Sequence, residues 1–194
     1  MEWQLPLEDA HFKDPNTYQH KHYSTAVKHV KQRTVAVDVG AHIGIHTVRL
    51  AQDFERVYAI EPINYKYLTK NVEHLDNVRL IHAGVSNTRG TLYAHNPRPS
   101  NSGAWELDNN PSDKEINTIT IDSLNLTQVD LIKVDTQGLE LEVILGAKQT
   151  IDKYKPVLWI EHAHTQHKLT QYLNTINYKL SATYNKDRVY VHEQ

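Results

Sequence analysis

From Thr34 onward, short apolar runs alternate with amphipathic segments. "TVAVDVG", "RVYAIEP", "VRLIHAGVS", "VDLIKVD" and "PVLWIEH" stand apart from stretches whose apolar residues recur at helical spacing. This alternation points to parallel strands joined by crossover helices, because two parallel neighbours need a connection long enough to hold a helix. Helices are expected over roughly Ile43 to Phe54, over "YKYLTKNVEHL", where Tyr67, Leu68 and Val72 share a sheet-facing side, over "GLELEVILGAKQTIDKY" and near "QHKLTQYLNTI". Pro62 closes the second strand. At 194 residues the chain can bury one full core, so the pattern predicts a single α/β unit with a mostly parallel central sheet and helices on both faces.

The rhythm breaks between Gly90 and Asn117. "GTLYAHN" has strand character, but "NPRPSNSGAWELDNNPSDKE" is rich in turn formers and reads as a long irregular loop. A loop of that length in a compact domain points to function, and Trp105 within it is a candidate ligand contact. "NTITIDSL" alternates as a strand, while "YKLSATYN" and "RVYVHEQ" read as a closing antiparallel pair. Before Thr34 the chain is polar, with one helical stretch, "NTYQHKHYSTAVKHVK", so residues 1–33 read as an N-terminal helical extension to a main domain over 34–194.

Composition narrows the chemistry. With no cysteine there is no disulfide framework, thiolate metal site or cysteine nucleophile, and the chain fits a reducing cytoplasm. The start lacks a basic segment followed by an apolar run, and no window approaches a membrane span. A formal charge of −2, from 21 basic and 23 acidic residues, gives no bulk electrostatic case for nucleic acid.

The first strand runs into "DVGAHIG" and then a helix. In an open α/β sheet such a turn lets backbone approach an anionic or zwitterionic group beyond the strand ends. The dinucleotide fingerprint is not met, because the glycines it needs after Gly40 are His42 and Ile45. The turn instead resembles the first motif of class I methyltransferases that use S-adenosylmethionine, Asp/Glu-x-Gly-x-Gly-x-Gly, with Asp38, Gly40 and Gly44 in register and His42 at the middle glycine. It resembles most closely the FkbM family of methyltransferases, whose loop reads "DVGANIG", so that His42 stands for an asparagine. Glu61, 23 positions after Asp38 in "AIEP", matches the family's segment and lies close to the offset of about 20 expected for an acid that grips ribose hydroxyls. A second block, "ITIDSLNLTQVDLIKVDTQGLELEVILGA", resembles the family's strand ending in aspartate and its glycine-opened helix, with Asp135 and Gly138 matching and Gln137 standing where the family often has glutamate.

The resemblance implies a Rossmann-like class I methyltransferase domain over 34–194 with S-adenosylmethionine as cofactor. Asp38, Gly40, His42, Gly44 and Glu61 are then cofactor-binding, and Ala83, Gly84, Val85 and Ser86 line the adenine at the end of the third strand. Asp135 ends the fourth strand at the cleft, where a carboxylate accepts a hydroxyl proton or binds the cofactor's amino group. Beyond the fifth strand, "EHAHTQH" gathers Glu161, His162, His164 and His167. That set resembles zinc ligands, but alternate strand residues face opposite ways, so no metal is expected and a neutral imidazole of His162 or His164 is the expected general base.

Methyl transfer from a sulfonium is an in-line displacement that asks the protein to align the partners and remove a proton. The expected activity is O-methylation of a small molecule or sugar by an enzyme without membrane or nucleic-acid partners. The Asp/Asn-Pro-Pro-Tyr/Phe motif of amino-methylating DNA enzymes is missing where "DTQG" stands. The alternatives are a non-catalytic module on the same fold and a nicotinamide-dependent Rossmann enzyme.

Overall fold

A computed structural model describes residues 2–6, 14–161 and 166–193. In chain order its elements are α1 (His20–Val27), β1 (Val35–Val39), α2 (Ile45–Asp53), β2 (Arg56–Ile60), α3 (Tyr65–Val72), β3 (Val78–Ile81), β4 (Gly84–Val85), β5 (Gly90–His95), β6 (Glu106–Asp108) and β7 (Glu115–Ile119). A 3-10 turn (Asp122–Leu124) leads to β8 (Leu131–Val134), α4 (Glu140–Leu145), α5 (Lys148–Tyr154), β9 (Val157–Glu161), α6 (Gln166–Thr175), β10 (Tyr178–Tyr184) and β11 (Asp187–His192).

Seven strands form the main sheet in the order β10-β11-β9-β8-β1-β2-β3. The five from β9 to β3 are mutually parallel, and β11 pairs antiparallel with both β9 and β10. The expected closing pair therefore extends the central sheet. From β1 the chain winds outward through β2 and β3, then returns on the other side through β8 and β9, so the strand order reverses between β1 and β8. At such a reversal the loops leave the strand ends in opposite directions and open a crevice.

The period-2 alternation of β1 assigns each face of the sheet. Val35, Val37 and Val39 join Ile144, Ile151, Leu169 and Leu173 on the side of α4, α5 and α6. Ala36 joins Leu50, Phe54, Leu131 and Trp159 with Tyr23 and Val27 on the side of α1 and α2. Burying a side chain such as Leu50 completely is worth roughly 1.5–3 kcal/mol. α1 is anchored as well as packed, since Tyr23 donates its hydroxyl proton to Asp53 at 2.5 Å, with the Arg49 carbonyl 3.0 Å from the same oxygen. No described helix is long and apolar enough to cross a membrane.

Several boundaries differ from the sequence expectation. The N-terminal helix is confined to His20–Val27, preceded by turns that end at Gln19 in the left-handed conformation (φ 51°). "VRLIHAGVS" is two strands: β3 stays in the main sheet, and β4 departs to pair with β7 in a second sheet of order β4-β7-β5-β6. The long loop is only partly irregular, because its "ELD" forms β6 against β5. The helix after β8 breaks at Gly146, where a Cβ would lie 2.2 Å from the Ser86 carbonyl oxygen. Asp122 then caps the second piece, accepting from the Gln149 and Thr150 amides at 3.0 and 2.8 Å.

Candidate active site

The glycine loop closes because three of its residues accept positive φ. Gly40 (φ 73°) is obligatory, since a Cβ there would sit 1.8 Å from the Asp135 carbonyl oxygen, where the ends of β1 and β8 meet. Gly44 (φ 95°) starts α2 with its α-carbon against Leu68 and Val72. His42 also lies in the left-handed region (φ 54°), a conformation that glycine and asparagine reach most readily.

Asp38 underpins the loop. It is fully buried, and its two oxygens accept from Thr47 Oγ1 at 2.7 Å and Lys133 Nζ at 2.9 Å. Lys133 also donates to the Gly40 carbonyl at 3.3 Å. Burial alone would lower the Lys133 pKa, but the carboxylates of Asp38 and Asp135 outweigh it and hold the ammonium well above its ordinary value. The sequence signal for this pair was a lysine inside the otherwise apolar run "VDLIKVD", a position where a buried cation requires a partner.

Glu61 follows β2, and its side chain is ringed by backbone donors. One carboxyl oxygen accepts from the His42 amide at 2.8 Å, and the other from the Ile63 and Asn64 amides at 2.7 and 2.8 Å. The 96–105 segment lies over this end: Asn64 Nδ2 donates to the Ser102 carbonyl at 3.0 Å, and His42 Nε2 meets Ser102 Oγ at 2.7 Å.

A cavity of about 320 Å³ opens at the strand ends. Of the residues expected to hold a cofactor, Gly40, His42, Glu61, Ala83, Gly84 and Val85 line it, and so does Trp105. Asp38, Gly44 and Ser86 stand behind this surface: Asp38 is sealed under Lys133 and Thr47, Gly44 faces α3, and Ser86 hydrogen-bonds through its amide to the Ile119 carbonyl at 3.0 Å.

The other end of the cavity carries Asp135, Gln137 and Glu161, with Tyr18, Gln19, His46 and Lys186 around them. The register Val134↔Ile160 brings Asp135 and Glu161 abreast on neighbouring strands. The charge of Asp135, followed by burial and Asp187, pushes Glu161 up to about 8. Gln137 Nε2 donates to Asp135 at 3.1 Å. His46 shares its Nε2 with Gln19 Oε1 at 2.8 Å and stands edge-on to Trp159, and burial drives its pKa far down, so that it is a neutral imidazole. His162 and His164, the expected general bases, lie outside the described residues, and His167 is exposed at the start of α6. No group of three or more potential metal ligands occurs among the described residues.

Residues 38–185 match the model of the methyltransferase FkbM domain. The chain belongs to the FkbM methyltransferase family. A crystal structure of the FkbM methyltransferase from Methylobacillus flagellatus is similar, at 24% identity and a TM-score of 0.67 over 88% of this chain and 48% of that one. The present chain thus spans about half the length of that relative. A SAM-dependent methyltransferase from Aquifex aeolicus shares the fold at 13% identity, with a TM-score of 0.53 over 92% and 97% of the two chains. So does the precorrin 8w decarboxylase of Methanobacterium thermoautotrophicum, at 16% identity and a TM-score of 0.58 over 90% of each. A comparison with curated proteins returned no match.

S-adenosylmethionine is the cofactor that membership of the FkbM family implies, and the residues fit it. Glu61 offers carboxyl oxygens at the cavity wall for ribose hydroxyls, Gly40 and His42 let backbone come close, and Ala83 to Val85 give an apolar edge for a base. Sequence reasoning missed Lys133, Gln19 and His46 and noted Glu161 only within the histidine cluster.

Proposed function

We propose that this FkbM domain transfers a methyl group from S-adenosylmethionine to a hydroxyl of a small polar molecule or sugar. The observation that carries this reading is the polarity of the cavity from end to end: Glu61 and the glycine loop at one end, and Asp135 with Glu161 at the other. Bound S-adenosylmethionine supplies an electrophilic methyl on a cationic sulfur. Asp38, Gly40, His42, Gly44, Glu61 and the Ala83–Ser86 edge hold it, some directly and Asp38, Gly44 and Ser86 through the loop and strand they fix.

Asp135 then accepts the acceptor's hydroxyl proton. Gln19, Gln137 and Lys186 offer hydrogen bonds to a polyol, and a cavity this size suits a small ligand. In this reading residues 34–194 are the catalytic domain, and the 1–33 extension lends Tyr18 and Gln19 to the acceptor end. His162 and His164, which follow Glu161 in the sequence, are further candidates for the general base, and the neutral His46 for contact with the acceptor. Action in the cytoplasm on a small molecule, with no nucleic acid or membrane partner, completes the proposal.

A labelled-methyl assay over a panel of monosaccharides, polyols and hydroxylated metabolites tests it. Methyl ether formation by the wild type, lowered at least about 100-fold in Asp135→Asn, supports the reading. Tight cofactor binding with no transfer to any hydroxyl favours the non-catalytic module instead, a reading to which Gln137, in place of the family's acid, lends weight.

A further inference from the structure

Four carboxyl groups crowd the carboxyl ends of β1, β8 and β9 and the adjoining amino end of the antiparallel β11. Period-2 alternation and the registers Asp38↔Lys133, Lys133↔Trp159 and Asp187↔Glu161 put Asp38 and Lys133 in one row, with Asp135, Glu161 and Asp187 in the next row on the same face. Two of these acids are committed. Asp38 is saturated by Lys133 and Thr47, and Asp187 accepts from Trp159 Nε1 at 2.8 Å while pairing with His22 of α1.

Among the described residues Asp135 and Glu161 are left with one buried cation, Lys133. Lys133 Nζ is 2.9 Å from Asp38 but 4.0 Å from Asp135, so its charge is largely spent before it reaches the pair. Among the described residues the other groups of the cavity do not make up the difference: His46 on α2 is neutral, His22 is turned to Asp187, and Lys186 and Arg98 are exposed. One ammonium against three carboxyls is balanced most cheaply by a proton held between Asp135 and Glu161.

We propose that Asp135 and Glu161 act as one single-proton carboxyl pair, which releases its proton when the cationic methyl donor enters and then takes the hydroxyl proton of the acceptor. The inference rests on the methyltransferase reading above. A sulfonium in the same cavity supplies the second cation that the pair lacks, so the base is armed only when the donor is present. During transfer the sulfur–methyl bond breaks with its electron pair left on sulfur, the oxygen–methyl bond forms, and the oxygen's proton moves to the pair. The neutral sulfide product no longer opposes that proton, and the resting one-proton state is restored. The elevated Glu161 is in keeping with such a pair.

The test needs no acceptor. Binding of S-adenosylmethionine and of S-adenosylhomocysteine to the whole chain is measured calorimetrically at pH 7.5 in buffers of different ionisation enthalpy, which counts the protons released. The wild type is expected to release most of one proton per protein with S-adenosylmethionine and close to none with S-adenosylhomocysteine. The difference is expected to vanish in Glu161→Gln and in Asp135→Asn, each still binding S-adenosylhomocysteine. Equal proton counts for the two ligands in the wild type, or a difference that persists in Glu161→Gln, overturn the pair while leaving the cofactor reading intact. Failure of the wild type to bind either ligand overturns both, and the wild-type comparison stands alone if a variant does not fold.

Discussion

Glu61 and Glu161 occupy like positions on either side of the switch point, at the carboxyl ends of β2 and β9, and both line the same cavity. Glu61 is surrounded by donors, the amides of His42, Ile63 and Asn64. Glu161 is surrounded by acids, Asp135 beside it and Asp187 beyond, and is pushed up to about 8. One residue type at one kind of strand end thus becomes a fixed acceptor at the cofactor end and a proton carrier at the acceptor end. The difference lies in what the neighbouring strands contribute: a backbone turn in the first case, charged side chains in the second.

The contrast breaks most completely if the common floor is disturbed. Gly40→Ala puts a methyl group into the Asp135 carbonyl at a positive-φ position, and a loss of about 3 kcal/mol or more, or outright failure to fold, is expected in urea denaturation. Lys133→Met removes the cation that Asp38 and Asp135 share, leaving Asp38 buried and unpaired, and is expected to cost about 3–5 kcal/mol by the same measurement.

A third prediction separates the two glutamates by pH. Glu161 titrates near its ordinary 4.5 when unfolded and at about 8 when folded, so the folded chain binds the extra proton between those values. Its stabilising contribution is complete below about pH 4.5 and is lost as pH rises through 8. Wild type is therefore expected to lose on the order of 2–4 kcal/mol relative to Glu161→Gln between pH 5 and pH 8.5, measured by denaturation at each pH. A Glu61→Gln variant carried through the same series is the control that sharpens the comparison.

The smallest effect belongs to the roof. Trp105 lines the cavity but leans on Lys114, whose Nζ is 4.5 Å from the ring centre, in a segment of exposed and half-buried residues. Trp105→Ala is expected to weaken S-adenosylhomocysteine binding only about 2–10-fold, about 0.5–1.4 kcal/mol, with stability nearly unchanged.

The same contrast explains what could be read in the sequence. The cofactor end is written in contiguous spacing, "DVGAHIG" and a glutamate 23 positions on, because one β-α-β unit builds it from its own backbone. The acceptor end is assembled by the order of strands β1, β8, β9 and β11, which local patterns do not specify. Asp135 was legible as the end of a strand, but its pairing with Glu161 depends on a register between segments 26 residues apart. The second sheet was hidden by brevity, since β4 has two residues and β6 three, both too short for period-2 alternation to register. The expected histidine bases rest on their place just beyond the fifth strand, while His46 carries no local signal, because its burial against Trp159 comes from the packing of α2 on the sheet.

The central claim is that the Glu61 end of the cavity holds an S-adenosyl cofactor. Calorimetric titration of the wild type and of Glu61→Ala with S-adenosylhomocysteine, with NAD as control ligand, tests it most directly. Micromolar binding of S-adenosylhomocysteine by the wild type, at least about 10-fold weaker in a folded Glu61→Ala, and no response to NAD is the result this account predicts. Equal affinity in the two proteins, or binding of NAD in place of the S-adenosyl ligand, would contradict it.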